Sequence, residues 1–232
     1  MSTTSDRPEF LRPLAAEALG TLLLVAGVVG SGIMAQRLSH DVAMQLLCNT
    51  LATGALLTVL IMIFAPISGA QFNPAVTLAL WLRREISIKR ALLIVIAQLL
   101  GGVAGTLLAH LMFALPLLVP GTTARTGPAQ WLAELVATAG LLLTIFGCQA
   151  QGPRVVAPAV GLYIAAAYWF TSSTSFANPA VTLARALTPS FAGIRPYDVP
   201  GFVFAQCVAA LVVVPLANWL FAKPQRAATR LV

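Results

Sequence analysis

The chain has 232 residues, 59% of them hydrophobic and only 9% charged, with a formal net charge of +7. A water-soluble domain carries roughly 25% charged residues, so composition excludes an ordinary soluble globule, and the mean hydropathy of +0.88 agrees. A basic balance fits a nucleic-acid binder, but here the cations stand at the ends of apolar runs, where membrane-flanking anchors belong, and no nucleic-acid partner is expected.

Residues Met1 to Arg12 are short and polar. The apolar run that follows is longer than the roughly 7–15 residues of a signal-peptide core, so it is read as a retained span. A spanning helix needs about 20 apolar residues. Six segments qualify, over 14–36, 43–65, 90–115, 130–150, 155–171 and 199–222. Two further apolar pieces, 74–82 and 179–187, are too short to cross alone and are bracketed by Pro and Gly. Such pieces predict re-entrant half-helices. The expected fold class is an all-α membrane protein forming one domain over 1–232, embedded in a lipid bilayer.

Placing both termini in the cytoplasm puts ten of the 14 Lys and Arg residues inside, among them Arg83, Arg84, Lys89, Arg90 and Arg154. Arg37, Arg125, Arg185 and Arg195 then lie outside. The positive-inside rule favours that orientation, in a multi-pass protein of the cell (inner) membrane.

The sequence repeats itself. Asn73-Pro74-Ala75-Val-Thr-Leu-Ala79 recurs letter for letter as Asn178-Pro179-Ala180-Val-Thr-Leu-Ala184. Ala16-Glu17 opens the first span and Ala133-Glu134 the fourth; Ala97-Gln98 lies in the third and Ala205-Gln206 in the sixth. Each half, approximately 10–115 and 128–222, holds three spans. An odd number forces the halves to insert with opposite topology, an inverted repeat.

Pro suits the first position of a helix, where its missing N–H is no loss, and the Asn before it is a strong cap. Each Asn-Pro-Ala therefore reads as a helix start. One copy is an ordinary cap; two copies at matched places in inverted halves predict two starts that meet near the bilayer midplane. Each presents the positive end of a helix dipole. With the Asn oxygen engaged as cap, the side-chain N–H groups are free to donate into a pore. Such a site accepts solute oxygens and repels cations.

Glu17 and Glu134 are the carboxylates set deep in spans, and intramembrane carboxylates are functional suspects. One reading is that each anchors the loop of its neighbouring half-helix; the other is that they bind a coupling ion in a secondary transporter. Cys48, Cys148 and Cys207 are read as small core residues, and His110, at a helix end, as a satisfied surface or interface residue. His40 and His110 are too far apart in sequence to suggest a site. Gly101 and Gly105 in the third span and Gly201 in the sixth belong to small-residue stripes that let helices approach closely. No nucleophile–base pair, metal-ligand spacing or cofactor motif accompanies these features, so neither an enzyme nor a cofactor is expected.

With Ile67-Ser-Gly-Ala-Gln-Phe-Asn73-Pro-Ala-Val-Thr77 and the second Asn-Pro-Ala, the chain resembles the aquaporin, or major intrinsic protein, family over nearly its whole length. That resemblance implies a pore in each subunit, a homotetramer, and an outer selectivity filter of four positions. Here those positions are Thr53, a fifth-span residue, Ser175 and Val181. Counting back from Asn178 gives Ala166 as the fifth-span residue; counting forward from Gly161 gives Tyr168, which is preferred because register should survive a loop deletion. The family usually has arginine where this chain has Val181. Arg185, one helical turn further out on the same face, either restores a positive charge at the outer mouth or snorkels to solvent. Small Thr53, Ser175 and Val181 predict a widened filter passing glycerol-type polyols. Val181 with Trp169-Phe-Thr-Ser-Ser-Thr-Ser-Phe-Ala-Asn178 resembles a bacterial branch associated with arsenic resistance, which implies arsenous acid as a solute.

Overall fold

In the computed structural model the chain is described over residues 11–222, so Arg7, Lys223, Arg226 and Arg230, counted above among the inner cations, lie outside the described residues. Eight α-helices occur among those residues: α1 Leu11–Leu38, α2 Val42–Ser68, α3 Pro74–Leu82, α4 Ile88–Met112, α5 Pro128–Cys148, α6 Pro153–Phe170, α7 Pro179–Arg185 and α8 Val199–Leu220. Local chemistry sets their ends. The Asp41 carboxylate caps α2 by accepting from the Met44 N–H at 2.9 Å, and Gly69, at φ 94°, ends it in a left-handed conformation open to glycine. Pro stands in the first turn of α3, α5, α6, α7 and α8.

Five helices are long and apolar enough to cross a membrane, α1, α2, α4, and α5 and α8 with their adjoining turns. The sixth predicted span, α6, is shorter at 18 residues and is packed against α2 and α5. The outward surface is apolar, with Leu51, Met62, Leu100, Phe204 and Trp219 all more than half exposed. In water such a belt is a liability; in lipid it is the expected solvent-facing surface.

The helices pack as two matched sets. α1 packs on α2 and α4, and α5 packs on α6 and α8. The half-helices cross over: α3 packs on α8, and α7 on α4. α2 and α6 meet across the centre, where a Cβ on Gly54 would come within 2.9 Å of the Gly161 carbonyl. Only two glycines permit that approach. Gly101 and Gly105 serve α4 likewise, since a Cβ on either would strike the α1 backbone at Ala18 or Leu22.

Two sequence expectations are corrected here. His110 is not a surface residue; it is fully buried. Its Nδ1 lies 2.6 Å from the Pro116 carbonyl and its Nε2 2.9 Å from the Thr188 hydroxyl. The chain after α4 folds back over the helix end and covers the ring. The cysteines are not core: Cys48 is exposed and Cys148 and Cys207 half-buried, all as free thiols. Apolar neighbours in sequence did not distinguish an inward helix face from a lipid-facing one.

Candidate functional site

The site begins with two loops. Residues 69–73 and 171–178 precede the half-helices, and both hold non-glycine residues at positive φ in matched places. Ala70 and Phe72 stand at 51° and 49°, and Ser175 and Ala177 at 49° and 48°. Such conformations cost about 1–3 kcal/mol each and persist only where the surroundings enforce them.

The buried carboxylates supply that enforcement. Glu17 accepts from the Gln71 N–H at 3.0 Å, the Phe72 N–H at 2.7 Å, the Ser68 hydroxyl at 2.6 Å and the Gln98 amide at 2.9 Å. Glu134 accepts from the Phe176 and Ala177 N–H groups at 2.9 and 2.8 Å and the Gln206 amide at 2.6 Å. Gln98 and Gln206 also donate to Thr77 and Thr182, at 3.0 and 2.9 Å. The repeated Ala-Gln pair was visible in the sequence, but its role as a tie between carboxylate and half-helix was not.

Held this way, the half-helices meet. The Asn73 oxygen accepts from the Ala75 N–H at 2.9 Å, and the Asn178 oxygen from the Ala180 N–H at 2.9 Å and the Val181 N–H at 3.3 Å. The amides cross: Asn73 donates to the Ala177 carbonyl at 2.7 Å and Asn178 to the Phe72 carbonyl at 2.8 Å. An amide has two N–H donors. One of each pair is therefore spent on the opposite loop and one is left, a smaller supply than the sequence argument assumed.

Both asparagines line a cavity of about 520 Å³. One wall is apolar, including Leu24, Val28, Val76, Val160 and Ile164, and another is formed by the loop residues before each Asn. Its charged lining residues, Glu85 and Arg90, belong to the arginine-rich end. At the other end stand Thr53, Tyr168, Ser175 and Val181, all on this one cavity. Ala166 is exposed, on the opposite side of α6 from Tyr168, as a two-residue offset of about 200° requires. The Tyr168 hydroxyl donates to the Thr53 hydroxyl at 3.3 Å. The Ser175 Oγ is buried without a hydrogen-bond partner.

Arg185 departs from expectation. It is 1% exposed and absent from the cavity wall. Its Nε donates to the Ala192 carbonyl, and its guanidinium carbon sits 3.4 Å above the centre of the Phe176 ring. The chain doubles back after α7, with the Ile194 N–H donating to the Arg185 carbonyl at 3.2 Å, and covers the side chain. Arg185 neither lines the cavity nor snorkels to solvent.

Sequence reasoning missed Arg125. This residue of the α4–α5 loop is buried. It donates from Nε to the Gly193 carbonyl at 3.0 Å, from Nη1 to the Ser173 carbonyl and Thr174 hydroxyl at 3.3 Å, and from Nη2 to the Phe191 carbonyl at 3.3 Å. Its guanidinium carbon lies 5.1 Å from the centre of the same Phe176 ring. Burial pushes its pKa below the ordinary arginine value, while Glu134 and Tyr168 pull it back. No short sequence pattern marks it.

The family model described as Major intrinsic protein matches residues 4–173. Aquaglyceroporin AqpS of Rhizobium meliloti (strain 1021) is 55% identical over 212 residues, covering 91% of this chain and 91% of that protein. Aquaporin-2 of Bos taurus is 30% identical over 226 residues, covering 94% of this chain and 81% of that protein. The X-ray structure of the aquaglyceroporin from Plasmodium falciparum superposes with a TM-score of 0.73 at 20% identity, covering 92% of this chain and 97% of that one. At that identity the superposition bears on fold alone. The chain belongs to the major intrinsic protein family, and it is a multi-pass membrane channel protein rather than an enzyme.

Proposed function

We propose that the protein passively conducts water and small uncharged solutes of glycerol size, with arsenous acid among them, through a pore in each subunit of a homotetramer. The observation that carries this reading is the single cavity shared by the two asparagines, three hydroxyl side chains and Val181. One side of it is greasy and the other offers hydrogen bonds, which suits a chain of hydroxyl groups sliding past an apolar backbone. At the end away from Arg90, Thr53, Tyr168 and Ser175 donate and accept equally, and Val181 adds no charge. A solute hydroxyl takes the place of the Tyr168–Thr53 bond as it passes.

The arginine-rich end is read as cytoplasmic, with both termini there, in the inner membrane of a bacterial cell. A coupled transporter is not favoured, because each buried carboxylate is already engaged by three or four donors of its own chain.

Stopped-flow light scattering of reconstituted liposomes under water, glycerol and arsenous acid gradients tests this, with Val181→Arg alongside. The expected result is passage of all three by the wild type and loss of the two larger solutes, with water retained, in the variant. Passage of water alone by the wild type would defeat the open-filter reading.

A further inference from the structure

We propose that Arg125, backed by Arg185, supplies the fixed positive charge that keeps cations out of the end of the pore lined by Thr53, Tyr168, Ser175 and Val181. The inference rests on the channel reading above and assigns it a selectivity residue outside the cavity wall.

Three observations converge. The wall at this end is neutral, its four side chains being hydroxyls and a valine. Two guanidinium groups nevertheless sit close behind it, both against the ring of Phe176, the residue next to Ser175. Among the described residues the salt bridges are Arg83–Glu85 and Arg195–Asp198, so neither Arg125 nor Arg185 is ion-paired. The nearby carboxylate, Glu134, is saturated by two backbone N–H groups and Gln206. Asp198 accepts from the backbone, not the guanidinium, of Arg125.

Arg125 also touches the pore loop directly. Its Nη1 donates to Ser173 and Thr174, immediately before Ser175. The charge thus stands behind the residues next to the wall residue Ser175, and even in solvent charges are largely screened only beyond roughly 8 Å. Buried in protein, it is screened less still. Neutral solutes are indifferent to this field, whereas cations meet it at the point where they must shed water.

A purely structural Arg125, stapling the loop to Phe191 and Gly193, makes different predictions. Arg125→Gln removes the charge; Arg125→Lys keeps it while losing most of the staple. In liposomes carrying pH- and potassium-sensitive dyes, Arg125→Gln should raise proton and potassium leak about tenfold or more, with water flux within about twofold of wild type. Arg125→Lys should retain exclusion at pH 7 and lose it as pH rises, at a pH below the ordinary lysine value of about 10, because the burial that lowers Arg125 lowers a lysine too. The wild type, with the same Tyr168, Glu134, Asp198 and Arg185 around the site, should keep its exclusion to a higher pH than Arg125→Lys. Equal leak in both variants at pH 7, no leak in either, or a pH-independent Lys variant would overturn the proposal. Should Arg125→Gln not fold, the pH response of Arg125→Lys decides alone. Absence of any water or glycerol flux in the wild type would instead overturn the channel reading on which this one stands.

Discussion

Asn73 and Asn178 are each bound to the other's loop, the first donating to Ala177 at 2.7 Å and the second to Phe72 at 2.8 Å. Two half-helices whose caps stand 105 positions apart in the numbering, at 73 and 178, are thereby locked end to end. The same residues also cap their own helices. Cap, crosslink and cavity lining are thus roles of one side chain.

Truncating either asparagine to alanine removes a cap and a crosslink. Each loss is worth about 1 kcal/mol, so Asn73→Ala and Asn178→Ala should each destabilise by about 2 kcal/mol. The double variant should show a coupling of at least about 0.5 kcal/mol, as neighbours in one network do. Denaturant or thermal unfolding in detergent measures all three. Strict additivity would mean the two halves are not joined through these residues.

Replacing Glu134 by glutamine puts an NH2 group against donors that now meet an acceptor. Glu134→Gln should lose about 3 kcal/mol, from charge-assisted hydrogen bonds worth about 1.5–3 kcal/mol each, and Glu17→Gln a similar amount. In the wild type, glycerol uptake should be non-saturable and indifferent to sodium or proton gradients. Gradient-dependent uptake that vanishes in either variant would restore the transporter reading.

The α2–α6 crossing tolerates no side chain. Gly161→Ala places a Cβ against the Thr58 hydroxyl and within 2.6 Å of the Gly54 carbonyl, and should cost about 1–3 kcal/mol of stability. Adding Thr58→Ala should not restore it, because the backbone clash remains. Recovery in the double variant, read from monodisperse protein on size exclusion, would show that the side chain rather than the backbone sets the limit.

The hydroxyl of Tyr168 donates to Thr53 on the wall of the cavity. Tyr168→Phe keeps the ring and removes a bond worth about 1 kcal/mol, so glycerol permeability should rise about fivefold with a lower activation energy. Ala166→Leu, on the outer side of α6, should leave flux unchanged. The reverse pattern in stopped-flow traces would move the filter from Tyr168 to Ala166.

Much of this molecule was written in its sequence because the constraints are local. Length and hydropathy set the spans, since lipid accepts only helices and closed barrels and apolar runs of about 20 residues are helix length. The half-helices were legible because Asn is a strong cap and Pro suits the first helical position, and the exact repetition of the pair announced the two halves. The filter alternatives came down to helix register, which the fold expresses by putting Tyr168 on the cavity and Ala166 outside.

Tertiary structure alone decided the rest, because direction and long-range partnership leave no local trace. An arginine one turn beyond Val181 looks exposed at the mouth until the chain after α7 doubles back over it, and a histidine at a helix end looks exposed until the following loop closes on it. Arg125 sits in a loop that sequence reasoning passed over, 48 residues before the Ser173 carbonyl it holds. Hydropathy separates membrane from water, but the inward and lipid-facing sides of a helix are equally apolar, which is why Cys48 was placed on the wrong one.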